Sequence, residues 1–86
     1  MAKVTIRLES SADFNIVRID DVEVMRAPGT RDVELEPGNH VLTWQIKGQQ
    51  GDKYTLEITA PESAEFTRKA TLDSFAIDFG FHSFEL

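Results

Sequence analysis

The chain has no cysteine, and it is poor in several other residues that carry chemistry. Without thiols it forms no disulfide, binds no zinc through thiolates and has no cysteine nucleophile. It has only 2 histidines and 5 glycines, with no glycine-rich phosphate loop and no HExxH motif. No apolar run approaches the ~20 residues of a membrane-spanning helix. We therefore expect no cofactor and no membrane insertion.

Positive charge is also scarce. Nine Lys and Arg residues oppose fifteen Asp and Glu residues, for a net charge of −6. Nucleic-acid binding requires a basic surface that displaces counterions from phosphates, but only Arg68 and Lys69 are adjacent basic residues. The charge distribution therefore predicts that the protein does not bind nucleic acid.

The length and composition are those of one small globular domain, residues 1–86. Hydrophobic residues make up 41% of the chain and charged residues 28%, an ordinary globular balance. No signal-peptide hydrophobic segment follows Met1. We expect a cytoplasmic protein if the chain is complete, and an extracytoplasmic one if it is a domain of a longer chain.

The dominant periodicity of the chain is two, which is typical of half-buried β-strands. Val4, Ile6 and Leu8 alternate with polar residues, and the same pattern recurs along the chain. Turn residues occur about every ten positions, and the connections are too short for crossover helices. The sequence predicts an all-β fold, a single antiparallel β-sandwich of seven or eight short strands.

Local signals predict two turns and leave one segment ambiguous. Asp20 and Asp21, between two β-branched runs, predict a tight hairpin. Pro37–Gly38 suits the central positions of a type II turn. Residues 63–72 contain threonines that favour an edge strand, but Ser63 to Phe66 also resembles a helix capping box. Both the strand and the helix remain open for that segment.

The alternation also predicts which large side chains form the core, seventeen in all. They are Val4, Ile6, Leu8, Ile16, Ile19, Val22, Val33, Leu35, Leu42, Trp44, Ile46, Tyr54, Leu56, Ile58, Phe75, Ile77 and Phe79. In this interpretation the last strand directs its odd-numbered phenylalanines inward.

The middle third of the chain carries two short motifs. Residues 17–24 read VRIDDVEV, residues 33–42 read VELEPGNHVL, and a glycine follows Lys47. Together they resemble the PEGA family, whose pattern is a "V-x-V-D-G" hairpin followed by "L-x-P-G-x-H-x-V". The resemblance implies an immunoglobulin-like or prealbumin-like sandwich that serves as a noncatalytic accessory or interaction module.

Catalytic constellations are hard to find in the sequence. His40 follows a turn, where we expect a capping or surface role. His82 and Asp78 share a strand face about 13 Å apart, too far for a hydrogen bond. Nothing around Ser74 or Ser83 marks a nucleophile. We therefore expect no enzymatic activity and no catalytic residues.

A ligand-binding sandwich, for calcium or carbohydrate, is the alternative function. Asp20, Asp21 and Glu23 are weak candidates for calcium, which takes several carboxylate oxygens. The hairpin turn also explains the two aspartates, so we expect no metal site. Trp44 and Tyr54 could stack on a sugar, but their shared parity with aliphatic residues favours core packing.

The C-terminal strand is the preferred candidate for binding. The last twelve residues hold four of the eight aromatics, and no Lys or Arg follows Lys69. Phe81, His82, Phe84 and Leu86 are the predicted partner-binding residues. The partner would be another protein or a second copy, joined by β-augmentation or by a symmetric homodimer edge. We expect a noncatalytic protein-protein interaction or structural accessory module.

Overall fold

The computed structural model describes the whole chain, Met1–Leu86, as eight strands and one short 3₁₀ turn. The strands are β1 (Ala2–Ser10), β2 (Phe14–Ile19), β3 (Val22–Met25), β4 (Gly29–Leu35), β5 (Asn39–Lys47), β6 (Lys53–Ala60), β7 (Phe66–Thr71) and β8 (Ile77–Glu85). The 3₁₀ turn, Glu62–Ala64, lies between β6 and β7.

The strands form two four-stranded antiparallel sheets that pack around one hydrophobic core. The first sheet has the order β4-β1-β6-β7, and the second has the order β3-β2-β5-β8. The predicted all-β sandwich of seven or eight strands is thereby confirmed, while its immunoglobulin-like or prealbumin-like type stays a prediction. A membrane-spanning helix, which requires a long apolar segment, is not found in the structure.

β1 illustrates how alternation builds the sandwich. Val4, Ile6 and Leu8 are at most 1% exposed, while Lys3 and Arg7 between them face solvent. β1 pairs with β4 on one side and with β6 on the other. Each such side chain contributes about 1.5–3 kcal/mol when fully buried, so the central strands carry much of the stability.

The predicted hairpin between β2 and β3 is confirmed. Asp20 and Asp21 have φ of 52° and 67°, the left-handed conformation that both central residues of a type I′ turn adopt. At the β4–β5 connection Gly38 has φ of 127°, as expected of a glycine that accepts positive φ.

Most of the predicted core is confirmed. Ten of the seventeen predicted side chains lie in the main cluster: Val4, Ile6, Leu8, Ile19, Leu42, Trp44, Ile46, Tyr54, Leu56 and Ile58. Ile16 is buried outside that cluster, and Val33 and Leu35 are partly buried against it.

Four predicted core residues are exposed instead. They are Val22, Phe75, Ile77 and Phe79. The alternation also missed four large side chains that the core contains, namely Val17, Met25, Leu72 and Phe84. Three of the four exposed residues lie on or beside β8, so the error is concentrated in one strand.

The ambiguous segment, residues 63–72, forms a strand. β7 spans Phe66–Thr71, and only the single turn Glu62–Ala64 before it is helical. The helical alternative is therefore wrong for most of the segment. β7 lies at the edge of the first sheet, as predicted, and β8 lies at the edge of the second.

Candidate interaction surface

The outer side of β8 is apolar from Ile77 to Phe81, although β8 is an edge strand. Phe79 and Phe81 are 70% and 75% exposed, Ile77 is 43% exposed, and Phe75 just before the strand is 82% exposed. The prediction that Phe75, Ile77 and Phe79 lie in the core is therefore wrong. Natural edge strands are commonly protected by lysine, proline or a bulge, but β8 contains neither lysine, arginine nor proline.

The inner side of β8 holds residues that were predicted to bind a partner. Phe84 is 8% exposed and belongs to the core, and the ring of His82 stacks on Phe66 with centroids 4.0 Å apart. Leu86 exchanges two backbone hydrogen bonds with Gly38. The predicted exposure is therefore wrong for Phe84, while His82 and Leu86 are half-buried. Of the predicted strip only Phe81 lies on the exposed side.

Gly80 explains why the even-numbered residues of β8 face the core and the odd-numbered ones face solvent. It lies directly opposite Trp44 on β5, and a Cβ at Gly80 would come within 2.6 Å of the indole Cζ2 atom. Trp44 is 4% exposed and fills this part of the core. Only a glycine fits on the inner side there, so the flanking Phe79 and Phe81 point to solvent.

The backbone groups of β8 point alternately to β5 and to the free edge, with the same period of two residues as the side chains. Leu86 and Gly38 bond each other in both directions, and the Gly48 N–H donates to the Ala76 carbonyl. In an antiparallel pair such bonded positions recur at every second residue, so the even-numbered residues of β8 bond to β5. The odd-numbered residues, including Phe79 and Phe81, direct their N–H and C=O groups to the free edge.

A groove of about 600 Å³ lies on this outer face. Its lining includes Phe79, Phe81, Thr43, Gln45, Arg18 and Asp21. The Arg18 guanidinium donates to the Gln45 amide oxygen at 3.3 Å. The surface therefore combines two exposed rings with hydrogen-bond donors and hydrogen-bond acceptors.

Asp78, on the inner side of β8, links the second sheet to the first. Its carboxylate accepts from the Tyr54 hydroxyl and from the Arg68 guanidinium, the latter at 3.0 Å. The Trp44 indole N–H donates to the Tyr54 oxygen at 3.0 Å. Burial raises the pKa of Tyr54, and the Asp78 carboxylate raises it further. Burial opposes ionisation of Asp78, but the bonds from Tyr54 and Arg68 outweigh burial and lower its pKa.

His40 is a buried structural group, so of the predicted capping or surface role only capping agrees with the structure. It is 8% exposed, with Nε2 at 2.7 Å from the Glu36 carbonyl and Nδ1 at 2.6 Å from the Asp20 carboxylate. Both partners are acceptors, so both ring nitrogens donate when the imidazole is charged. The bond to Asp20 accordingly raises the pKa of His40 and lowers that of Asp20.

The weak calcium candidates are not brought together as ligands. The second oxygen of Asp20 accepts the Val41 backbone N–H at 2.9 Å, and Glu23 pairs with Arg26 at 2.8 Å. Asp21 lies exposed in the turn. No group of three metal-ligating side chains forms in the structure.

The aromatic residues considered for carbohydrate are both buried. Trp44 is 4% exposed and Tyr54 is 2% exposed. Neither ring can stack on a sugar from solvent. Phe79 and Phe81 are the rings exposed to solvent, and the sequence analysis did not consider them for carbohydrate binding. Gly80, between these two phenylalanines, was the one feature of the sequence that indicated their exposure.

No family model matches the chain, and no solved structure matches it. A protein of Arthrobotrys oligospora that is named an oxidoreductase is 42% identical over 48 residues. The match covers 56% of this chain and 19% of that protein. The chain therefore spans less than a fifth of the relative's length, and the match does not assign it to a family.

Proposed function

We propose that the chain is a noncatalytic protein-interaction or structural accessory module that binds its partner through β8. The observation that carries the proposal is an edge strand whose exposed residues, Phe79 and Phe81, direct their backbone groups away from β5. Of these groups, the Phe79 N–H also bonds to the Asp78 carboxylate. A strand added at this edge would gain backbone hydrogen bonds and contacts with both rings. Binding of this kind requires no reactive side chain.

The other edge strand on the same side of the sandwich supports the proposal by contrast. β7 exposes Thr67, Arg68 and Lys69, and charge on an edge strand discourages pairing with other chains. β8 has no lysine or arginine; of its two carboxylates, Asp78 is paired with Arg68 and Glu85 lies at the end of the strand. The two edges therefore differ in the feature that controls pairing.

The hydrogen bonds of the buried polar side chains support a noncatalytic role. Both nitrogens of His40 are occupied by Asp20 and Glu36, and the Tyr54 hydroxyl is bonded to Asp78. The oxidoreductase name belongs to a relative of which the match covers 19%, and the proposal does not extend that activity to this chain.

Photocrosslinking in the source cell tests the proposal. A photoreactive phenylalanine analogue in place of Phe79 should form discrete protein adducts, and a second change, Phe81→Lys, should abolish them. The matched control carries the same analogue at Thr67, an exposed residue of β7. Equal adducts at both positions, or none at position 79, would contradict the proposal.

A ligand-binding sandwich is the second candidate, favoured by the groove beside the same rings. Phe79 and Phe81 offer faces for stacking, while Arg18, Asp21 and Gln45 offer hydrogen bonds to a carbohydrate. Titration with soluble oligosaccharides should then shift the amide resonances around Gln45, and Phe79→Ala should remove the shifts. A spectrum unchanged by every sugar would exclude this candidate.

A further inference from the structure

We infer that the partner of β8 is a second copy of this chain, paired antiparallel through its own β8 with Phe81 at the centre. The inference rests on the proposed function and adds the identity of the partner and the register. The pair would join two four-stranded sheets into one continuous sheet across a two-fold axis.

The strand is self-complementary in this register. β8 has nine residues, Ile77–Glu85, with Phe81 in the middle. Pairing about Phe81 places Phe79 opposite Ser83 of the second copy and Ile77 opposite Glu85 of the second copy, so that no residue of the strand is left unpaired. All these residues are odd-numbered and direct their backbone groups away from β5, which allows up to about ten hydrogen bonds between the copies. To form all of them, the Phe79 N–H exchanges its bond to the Asp78 carboxylate for one to Ser83 of the second copy.

The exposed rings meet in the same register. The two Phe81 side chains lie directly opposite each other, at the distance where cross-strand pairs interact. Each Phe79 lies diagonal to Phe81 of the second copy, within reach of an aromatic side chain. Rings that are 70% and 75% exposed in the single chain thereby lose part of their contact with water.

Charge complementarity selects this register over its neighbours. Lys47 lies opposite Ile77 on the outer face of β5. In the dimer, Ile77 of the second copy lies opposite Glu85 of the first. Glu85, Ile77 of the second copy and Lys47 of the second copy therefore lie side by side on three neighbouring strands. The two charged residues are then two strands apart, about 10 Å between Cα atoms, a distance that their side chains span. The two-fold axis makes this contact twice.

The charges involved are available, and like charges stay apart. Neither Lys47 nor Glu85 forms an ion pair within its own chain. Asp78, the other carboxylate of β8, is paired with Arg68 on the inner side. The two Glu85 residues lie eight positions apart along the paired strands, about 27 Å. Pairing therefore brings no two carboxylates together.

The size of the contact predicts a weak dimer. Two strands that join at their edges bury less than the roughly 1,200–2,000 Å² of a stable interface. We therefore expect a dissociation constant in the micromolar range or above, so that the population of dimer changes over accessible concentrations.

Sedimentation equilibrium of the purified chain measures this association directly. The average mass should rise above the 9.7 kDa of one chain as concentration increases from about 1 µM to about 1 mM. Phe81→Lys should weaken association at least about tenfold, while Thr67→Lys on β7 should not change it. A mass that stays at one chain throughout, or equal weakening by both variants, would overturn the inference.

Exchanging the charges tests the register. Lys47→Glu and Glu85→Lys should each weaken association severalfold, and the double variant should restore it because the pair is re-formed with the signs reversed. Both residues are exposed, so the fold should be kept, which circular dichroism verifies. A double variant no stronger than either single variant would rule out pairing centred on Phe81.

The crosslinked adducts separate this inference from the proposed function. An adduct at position 79 with the mass of two chains supports both. An adduct with a different protein alone overturns the self-pairing and leaves the proposed function standing. The absence of any adduct overturns both.

Discussion

The two sides of β8 are built from alternate residues of one strand, and they have opposite environments. On the inner side, Gly80 contacts the Trp44 indole and Phe84 lies in the core. On the outer side, Phe79 and Phe81 are mostly exposed. Hydrophobicity alone therefore did not decide which side faces inward. The space left by neighbouring side chains decided it, because a sandwich interior is close-packed and admits only what fits.

The largest expected effect comes from truncating the inner side. Phe84→Ala removes a side chain that is 8% exposed, and a change of this kind costs about 3–5 kcal/mol of unfolding free energy. The matched change on the outer side, Phe79→Ala, should cost less than about 0.5 kcal/mol. Urea unfolding at low concentration, where the chain is monomeric, measures both. Equal losses would mean that the two sides are not distinguished as described.

Overfilling the inner side should have the next largest effect. Gly80→Val places a Cβ within 2.6 Å of the Trp44 ring, and such overpacking costs about 1–3 kcal/mol. The single tryptophan of the chain reports the strain, since its emission should move to longer wavelength as the core opens. Phe81→Val, the control on the outer side, should leave emission and stability unchanged. Wild-type stability of Gly80→Val would show that Trp44 does not fill this space.

A smaller, pH-dependent effect should come from His40, a residue of β5 that lies opposite Phe84 of β8. Its pKa is raised above the ordinary value of about 6.5. Protonation therefore stabilises the fold fully below about pH 6.5, and this contribution is lost as pH rises through the raised pKa. The lowered pKa of Asp20 gives the opposite dependence at acid pH, where its contribution is lost as pH falls.

Thermal unfolding measured from about pH 6 to about pH 9 should therefore show a declining Tm. Asp20→Asn keeps a residue suited to the hairpin turn and an acceptor for the Val41 N–H, but removes the charge facing His40. The variant should flatten the decline. A slope identical to that of the wild type would show that another group causes it.

The smallest expected effect concerns Asp78, at the start of the inner side. Burial and then the Asp78 carboxylate raise the pKa of Tyr54, which is the only tyrosine of the chain. Asp78→Asn should lower that pKa without returning it to the ordinary value, because the burial remains. Absorbance at alkaline pH follows the titration, with Glu57→Gln as a control on the outer face. The loss of stability should stay below about 1 kcal/mol, since the pair with Arg68 is partly exposed.

Much of the fold follows from local rules that a sequence displays. The alternation in β1, β5 and β6 predicts their buried sides, because successive side chains of a strand point to opposite faces. Asp20 and Asp21 predict the hairpin because both tolerate left-handed φ. These inferences need only neighbouring residues, and the structure confirms them.

The contacts that depend on distant residues escaped the sequence. For His40 the sequence predicts a capping or surface role, and its bond to the Glu36 carbonyl is the local contact that a capping role implies. Its burial against Asp20, twenty positions earlier, depends on the pairing of β2 with β5 and has no local signal. Similarly, Trp44 and Gly80 are 36 positions apart in the chain, and only strand pairing brings them together. The exposed side of β8 was misassigned for that reason.

The excess of acidic residues and the period of two determined by themselves that this chain is an acidic sandwich of short antiparallel strands, and the absence of cysteine determined that no disulfide links them. Only the tertiary structure decided which side of its last strand faces solvent. Alternation separates the side chains of a strand into two sets, but it does not show how much space the facing residues leave for each set. Trp44 occupies that volume, so the glycine lies inside and the phenylalanines outside.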